Sequence, residues 1–235
     1  MTRTRFRASR SAGEVSAIVS IPDGARWMLV LAHGAGAGMT HPFLETLAQR
    51  LAARGVATFR YQFPYLERGS RRPDPAPVLE ATVRSAVEAA ARAAGGLPLL
   101  AGGKSLGGRM TSRAASSNPL PGVRGLVFYG FPLHAIGKPG AERADHLDGV
   151  GLPLLFLQGS RDKLASLDLL APVVERLGPR AALQVIEDAD HSFHVPARTG
   201  RTGAEVLDDL AGRTAEWSAG LMNEAISSSV FRQNL

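Results

Sequence analysis

Short apolar runs alternate along the chain with segments in which apolar residues recur every three or four positions. The runs at 27–34 and 97–102 are almost continuously apolar, which is typical of strands buried on both faces of a sheet. The stretch 14–22 instead alternates apolar with polar or smaller residues, which predicts a strand with one face in water. Four further runs predict strands at 56–61, 122–130, 152–159 and 181–188.

Helices are predicted between most of these strands. Phe43, Leu47 and Leu51 are spaced four residues apart within 42–54, and Gly55 follows as a helix-terminating glycine. Because strand and helix largely alternate after the first two strands, the pattern predicts a mostly parallel sheet of about seven or eight strands with helices on both faces. A chain of 235 residues suits one such α/β domain over 1–235. Further helices are predicted at 75–94, 106–116, 167–177 and 203–226.

Two segments that follow strands, 62–77 and 131–149, are rich in Pro, Gly and charged residues and are predicted to be loops. In a doubly wound sheet the loops after the carboxyl ends of the strands line the ligand crevice, so both segments are expected to form substrate walls. The second segment is too short for a helical cap domain, which predicts a shallow, open pocket. The residues expected to contact substrate are Phe63, Tyr65, Arg71, Phe131 and His134.

Composition and charge narrow the possible chemistry. The absence of cysteine excludes disulfides, thiolate metal sites and a cysteine nucleophile. The six histidines form no zinc-binding motif, so neither a metal nor a cofactor is expected.

The net charge is +6, but the arginines are scattered along the chain, which argues against nucleic acid or a membrane surface as a partner. No apolar run reaches the roughly 18 residues of a membrane span. We therefore expect a cytoplasmic protein with a small-molecule substrate, and the sequence leaves its oligomeric state open.

The stretch AGGKSLGGRM at 101–110 is compatible with two chemistries. A phosphate-binding loop of the form G-x-x-x-x-G-K-[ST] needs a glycine at position 98, where the chain has Pro98, and residues 99–102 are part of a predicted strand. A G-x-S-x-G nucleophile elbow, by contrast, must follow a buried strand and begin a helix, and residues 103–107 do both. Ser105 is therefore the candidate nucleophile.

A nucleophilic serine needs a base, and the base needs a carboxylate that fixes its tautomer. In elbow-containing sheets these residues follow in the order serine, acid, histidine. Asp162 comes three residues after the strand at 152–159, and His191 follows the strand at 181–188. Because the carboxyl ends of parallel strands share one edge, we predict that Ser105, Asp162 and His191 form a catalytic triad. Asp188, Asp190 and His194 remain alternatives on the histidine's own loop.

Two backbone N–H groups are predicted to bind the oxyanion that a serine attack creates. One belongs to Leu106, which follows the serine at the start of a helix. The other is assigned to Ala35 in the glycine-rich segment 33–39, with Gly34 and Gly36 as alternatives. His33 is predicted to pack and to hydrogen-bond this segment rather than to react.

Basic residues near these positions raise a hypothesis about the substrate. Arg68, Arg71 and Arg72 follow a strand end, and Lys104 precedes the serine, so a negatively charged substrate is one possibility. Arginines on an exposed loop also pair with neighbouring acids such as Asp74, which is the alternative interpretation.

Six segments between residues 33 and 193 together resemble a known family: HGAGAGMTHPFL, FRYQFPYLERGSRRPDP, GGKSLGGRM, FYGFPLHAIGKPG, LFLQGSRD and DADHSF. They are similar to the compact α/β-hydrolase-like proteins related to dienelactone hydrolase, in particular the bacterial members grouped with the animal testis-expressed protein and the chromatin-associated NSL-complex subunit. The resemblance implies a single-domain α/β-hydrolase fold without a substantial cap domain. It also implies the Ser105–Asp162–His191 triad and an oxyanion site at Ala35 and Leu106.

The chain differs from dienelactone hydrolases proper in one respect, because it has a serine where they carry a cysteine. The chromatin-associated relatives act as interaction domains. We therefore expect a serine hydrolase of esters or thioesters, and the alternative is a non-catalytic interaction module with the same fold.

Overall fold

Eight strands pair into one sheet in the computed structural model, which describes residues 1–233 and their side chains as far as residue 222. Their order across the sheet is β1-β2-β4-β3-β5-β6-β7-β8. The β1–β2 and β2–β4 pairs are antiparallel and all the other pairs are parallel, which confirms the predicted architecture. The strands are β1 (Thr2–Ser9), β2 (Gly13–Ser20), β3 (Trp27–Ala32), β4 (Val56–Tyr61), β5 (Leu99–Lys104), β6 (Val123–Tyr129), β7 (Leu154–Gly159) and β8 (Ala181–Ile186).

Helices cover both faces of the sheet. Met28 and Val30 of β3 belong to a core shared with α3, α4 and α5, whereas Leu29 and Leu31 belong to a second core shared with α1 and α6. This division follows from the alternation of side chains along a strand. No helix in the described part of the chain combines the length and apolarity that a membrane crossing requires. The helices are α1 (Pro42–Ala52), α2 (Pro64–Glu67), α3 (Ala76–Ala93), α4 (Leu106–Ser117), α5 (Leu167–Leu177) and α6 (Gly203–Gln233).

The structure differs from the sequence-based expectation mainly at the amino terminus. Strand β1 is not predicted by the apolar pattern, because only Phe6 and Ala8 of its eight residues are buried hydrophobics. As an edge strand, β1 pairs with β2 alone and leaves its Thr and Arg side chains largely in water.

The two predicted loops contain short pieces of regular structure. Helix α2 lies in the first loop, and a 3₁₀ helix, Glu142–Gly149, lies in the second. Between β6 and β7 the chain forms no other helix, so a cap domain is absent from this described segment. The carboxyl ends of the parallel strands are therefore open to solvent from above.

The carboxyl edge of the sheet brings the candidate residues together. The glycine-rich segment 33–39 follows β3, and Ser105 follows β5 directly. Asp162 follows β7, and His191 follows β8. Since these four strands are parallel, their ends lie on the same side of the sheet, and the fold delivers segments distant in sequence to one place.

Close backbone contact between β3 and α4 fixes the position of Ser105. A Cβ atom on Gly107 would lie 2.6 Å from the carbonyl oxygens of both Ala32 and His33, and one on Gly103 would also overlap the Ala32 carbonyl. Backbone atoms of a buried strand cannot move aside as a flexible side chain can. Helix α4 therefore approaches the sheet at a distance that only glycine permits.

We predict that Gly107→Ala lowers the free energy of unfolding by at least about 2 kcal/mol, because the added methyl overpacks against fixed carbonyls. The matched control is Gly212→Ala in α6, where the nearest contact of the new Cβ is the Arg54 Nε at 3.6 Å. That control is expected to be neutral or stabilising by up to about 1 kcal/mol. Urea unfolding of both variants measures the difference, and equal stability of the two would contradict the close-packing explanation.

Candidate active site

Ser105 occupies a strained turn between β5 and α4. Its backbone angles are φ 50° and ψ −116°, although it is not a glycine. Its N–H donates to the Tyr129 carbonyl at 3.2 Å. A non-glycine residue held in such a conformation costs on the order of 1–3 kcal/mol, which the surrounding packing must offset.

A chain of two short hydrogen bonds connects Ser105 to a buried carboxylate. The Ser105 hydroxyl donates to His191 Nε2 at 2.8 Å, and His191 Nδ1 donates to Asp162 Oδ2 at 2.6 Å. A carboxylate only accepts hydrogen bonds, so the proton of the neutral ring is on Nδ1 and Nε2 is free to accept. The structure thus brings together the three residues that the sequence analysis selected. In this arrangement the serine hydroxyl faces a base that is held in the correct tautomer.

Asp162 is fully buried, and the protein supplies all of its hydrogen bonds. Besides His191, it accepts the Leu164 N–H on Oδ1 at 2.8 Å and the Gln158 side-chain amide on Oδ2 at 2.6 Å. The Gln158 carbonyl oxygen in turn accepts the Phe131 N–H at 2.9 Å. Gln158 therefore links the loop after β6 to the acid. The sequence pattern does not assign a role to Gln158, whose only signal is that it is a polar residue near the end of an otherwise apolar strand.

The alternative residues on the histidine loop have other roles in the structure. Asp190 Oδ1 accepts the N–H groups of Ser192 and His194 and closes the turn. The Asp188 carboxylate pairs with Arg198. His194 is exposed and approaches only Asp190, so none of these residues takes part in the hydrogen-bond chain to Ser105.

The glycine-rich segment 33–39 lies beside the serine and is anchored at its start by His33. His33 is buried, donates from Nδ1 to the Gly34 carbonyl at 2.8 Å and accepts the Phe63 N–H on Nε2 at 3.0 Å. Burial lowers the pKa of His33 to about 4, against the opposing effect of the Gly34 hydrogen bond. The ring is therefore a neutral structural link, as the sequence predicts.

The far end of the same segment is anchored from β4 and the residue after it. Gln62 accepts the Met39 N–H at 2.9 Å, and Arg60 donates to the Met39 carbonyl at 3.0 Å. Arg60 is almost completely buried, which is unusual for an arginine without a carboxylate partner. The sequence pattern does not point to either residue. Both hold the backbone of the segment rather than facing the serine.

Backbone donors without a backbone partner lie near Ser105. In the described structure the N–H groups of Leu106, Gly34, Ala35 and Gly36 donate to no other backbone group, whereas the Ala37 N–H is bound to the Gly34 carbonyl. Leu106 is the first residue of α4, where the helix dipole favours negative charge. The Leu106 N–H and an N–H of the glycine-rich segment are therefore available to an oxygen atom bound at Ser105, and Gly34, Ala35 and Gly36 all remain candidates for the second donor.

A cavity of about 380 Å³ opens above Ser105 and His191. It is lined by Gly34, Ala35 and Ala37 of the glycine-rich segment and by apolar residues, and its polar residues include Lys104. A volume of this size suits a small molecule. The apolar side chains are Phe43, Leu44 and Leu164.

The five residues expected as substrate contacts do not line this cavity. Phe63 and Tyr65 are fully buried around His33, with ring centroids 4.9 and 6.0 Å from its ring, and Phe131 packs between Phe128 and Phe156. The physical reason is burial of apolar surface, since these aromatic rings fold beneath the loops and into the core. The buried His134 donates to the Ala135 carbonyl.

The arginines of the loop after β4 also differ from the expectation. Arg71 is exposed and away from the cavity, and Arg72 lines a separate surface depression. Arg68 forms an ion pair with Asp74. This is the alternative that the sequence left open, and Lys104 is the one basic residue of the group that reaches the cavity.

Clusters of side chains that could bind a metal ion are absent from the described residues. Across them, no three His, Asp or Glu side chains come close enough together to hold a metal ion.

The chain resembles known hydrolases in sequence and in structure. A family model described as "Alpha/beta hydrolase domain" matches residues 25–219. A dienelactone hydrolase from Anabaena variabilis is similar with a TM-score of 0.73 and 21% identity, covering 92% of this chain and 96% of its own. A lidless a/b serine hydrolase from Xanthomonas campestris gives a TM-score of 0.72 and 18% identity, with coverage of 92% and 94%. An alpha-beta serine hydrolase homologue from Coxiella burnetii gives 0.71 and 18%, with coverage of 91% and 98%.

We predict that Gln158→Leu lowers the free energy of unfolding by about 2 kcal/mol, because it leaves the buried Phe131 N–H without an acceptor and removes a donor from Asp162. The matched control is Gln184→Leu on the neighbouring strand β8, where the side-chain oxygen is buried and has no partner. That control is expected to change stability by less than about 0.5 kcal/mol. Urea unfolding compares the two variants. An equal loss of unfolding free energy in both would show that the hydrogen bonds of Gln158 do not stabilise the protein.

Proposed function

We propose that this chain, which belongs to the alpha/beta hydrolase domain family, cleaves an ester or thioester of a small substrate through an acyl-enzyme on Ser105. The observation that carries the proposal is the hydrogen-bond chain from Ser105 through His191 to the buried Asp162. It lies at the bottom of an open cavity and beside the unpartnered N–H groups of Leu106 and Ala35. A nucleophile, a base, an orienting acid and an oxyanion site together are the requirements of acyl transfer.

The first half of the reaction forms the acyl-enzyme. The Ser105 oxygen attacks the carbonyl carbon while His191 Nε2 takes the hydroxyl proton, and the carbonyl electron pair moves onto its oxygen. The N–H groups of Leu106 and Ala35 bind that oxyanion. The Asp162 carboxylate accepts the hydrogen bond from Nδ1–H and stabilises the imidazolium that forms. When the tetrahedral intermediate collapses, Nε2 returns its proton to the leaving alkoxide or thiolate.

The second half hydrolyses the acyl-enzyme by the same groups. A water molecule gives a proton to His191 Nε2 and attacks the acyl carbon, and the oxyanion again occupies the site at Leu106 and Ala35. Collapse of this intermediate breaks the bond to Ser105, whose oxygen recovers the proton from the imidazolium. The acid product leaves, and the resting hydrogen-bond chain is restored.

The shape of the cavity supports a small substrate that enters from solvent. No cap covers it in the described segment between β6 and β7, and its apolar wall at Phe43, Leu44 and Leu164 suits an acyl or alcohol group with an apolar part. The free substrate is not required to open a lid before it reaches Ser105. We propose small molecules as the partners of this site.

The motifs around Ser105 and His191 also support assignment to the group that contains the testis-expressed and NSL-complex-subunit proteins. The alternative function, an interaction module without turnover, is less well supported by the geometry. An inactive scaffold does not require a strained serine in hydrogen-bond contact with a histidine whose tautomer is fixed.

We predict that Ser105→Ala abolishes hydrolysis of a short p-nitrophenyl ester, with a loss on the order of 10⁶-fold where chemistry limits turnover, because the nucleophile is removed. The control is Ser192→Ala, which changes another cavity-lining serine with no contact to His191 Nε2 and is expected to keep activity within about threefold. Steady-state rates of both variants test the proposal. Unchanged turnover by the Ser105 variant would refute it.

We also predict that Asp162→Asn lowers kcat by about 10⁴-fold, because an amide at this position favours the wrong tautomer of His191. Asp190→Asn is expected to cost less than about tenfold, since the asparagine oxygen still accepts the N–H groups that Asp190 binds. The same ester assay compares them. A larger loss from the Asp190 variant would mean that the acid is misassigned.

A further inference from the structure

Two arginines lie beside the contact between α4 and the 3₁₀ helix of the loop after β6. That contact is a hydrogen bond of 2.8 Å between Ser112 Oγ and His146 Nε2. Arg109 precedes Ser112 by three residues on α4. Arg143 precedes His146 by three residues on the 3₁₀ helix. Each arginine therefore shares a face with one member of the bonded pair, and the two guanidinium groups are close enough to repel each other.

A third arginine, Arg113, follows Arg109 by one turn of α4 and also repels it. Among the described carboxylates, only Glu80 of α3 acts appreciably on Arg109, and Glu80 Oε1 already accepts from Arg113 Nε at 2.6 Å. Burial, together with Arg113 and Arg109, lowers the pKa of His146 to about 4, so this ring adds no charge at neutral pH. We call Arg109, Arg113 and Arg143 the arginine cluster. Its three guanidinium groups against one carboxylate leave an excess of two positive charges.

Arg109 is the member of the arginine cluster that has no bonded partner. Its Nε is buried without a hydrogen bond, whereas Arg143 Nη1 donates to the His134 carbonyl at 3.0 Å. The Arg109 side chain is partly exposed, and its terminal nitrogens form no hydrogen bond or ion pair with a described residue. Burial and the two neighbouring arginines lower the pKa of Arg109 to about 10, against the effect of Glu80, so it stays charged at neutral pH. An anion from solution would offset the cost of this half-buried charge.

The arginine cluster lies close to the cavity above Ser105. The Arg109 N–H donates to the Ser105 carbonyl at 3.1 Å, so the arginine follows the serine by one helical turn. Long side chains on a helix lean towards its amino terminus, which here is the Ser105 end. On the other side, the His134 N–H donates to the carbonyl of Leu164, which lines the cavity. Arg143 is therefore linked to the cavity wall through His134.

We propose that the arginine cluster binds a phosphate group, either as inorganic phosphate or as a phosphate monoester carried by a substrate. A phosphate monoester has a charge of about −1.5 to −2 at pH 7, which matches the excess of two positive charges. Guanidinium groups bind phosphate oxygens through pairs of parallel N–H bonds, and the terminal nitrogens of Arg109 are available for this. The binding of phosphate is independent of hydrolysis. Its use in holding a substrate rests on the proposed function.

The first experiment adds inorganic phosphate to the full chain at neutral pH and follows Tm, with chloride adjusted to keep the ionic strength constant. The Tm of the wild type is expected to rise and to level off as the site fills. In Arg109→Gln the apparent affinity is expected to fall by at least about tenfold, because charge-assisted hydrogen bonds are lost. In phosphate-free buffer this variant is expected to melt no lower than the wild type, because the change relieves repulsion between like charges.

Matched variants separate the arginine cluster from the general positive charge of the protein. Arg92→Gln removes an exposed arginine from α3 and is expected to keep the full phosphate response. Arg109→Lys keeps the charge without the planar fork and is expected to bind phosphate about threefold more weakly. If Arg109→Gln does not fold, the lysine variant provides the test. Acetate, with a single charge, is expected to bind the wild type at least about tenfold more weakly than phosphate.

The second experiment identifies the source of the phosphate. It compares kcat/KM for 1-acetylglycerol 3-phosphate and for 1-acetylglycerol, two esters that differ only in the phosphate. If the substrate carries the phosphate, the wild type prefers the first ester by about tenfold or more, and Arg109→Gln loses this preference. The variant is expected to cleave the neutral ester within about threefold of the wild-type rate. Equal kcat/KM for the two esters, together with a saturable phosphate response, identifies inorganic phosphate as the ligand.

Four results would overturn the inference. They are a wild-type Tm that does not respond to phosphate, an undiminished response in Arg109→Gln, loss of the response in Arg92→Gln, and acetate binding as tight as that of phosphate. In each of these cases hydrolysis of the neutral ester at Ser105 is unaffected and the proposed function stands. If the wild type hydrolyses neither ester, the proposed function fails, and the phosphate titration still decides whether the arginine cluster is a binding site.

Discussion

The strained turn at Ser105 is the constraint on which the rest of the site depends. A serine at φ 50° is unfavourable by itself and persists because β5, α4 and the end of β3 fit closely around it. Gly107 allows the helix to lie directly against the Ala32 and His33 carbonyls. This contact aims the serine hydroxyl at His191 and leaves the Leu106 N–H without a partner. Packing free energy from the core thus maintains the geometry that the chemistry needs.

A second feature is that the loops at the carboxyl edge are fixed to one another by buried polar groups. Gln158 joins Asp162 to the Phe131 backbone, and His33 joins the glycine-rich segment to the Phe63 backbone. Each of these side chains is buried and satisfied at both ends, so it orders a loop without leaving an unpaired group. The loops of the site are therefore joined by buried hydrogen bonds, and no cap covers the site in the described segment between β6 and β7.

Most of the fold could be predicted because its central strands are buried on both faces and so appear as continuous apolar runs. Strand β1 could not, since an edge strand in water shows little apolar signal. The sequence brings Ser105, Asp162, His191 and Leu106 together because strand order alone places them at one edge of the sheet. The aromatic residues of the two loops were misplaced, because whether a ring such as Phe63 faces a cavity or the core depends on packing that the sequence pattern does not contain. The hydrogen-bond partners of Gln158 also depend on packing that the sequence pattern does not contain.

The most direct test of the central claim is a crystal structure of the protein after reaction with an uncharged fluorophosphonate. The phosphorus is expected on the Ser105 oxygen. The phosphonyl oxygen is expected to accept hydrogen bonds of about 2.7–3.1 Å from the Leu106 and Ala35 N–H groups. An adduct on another residue, or a phosphonyl oxygen that points away from both N–H groups, would contradict the assignment of nucleophile and oxyanion site.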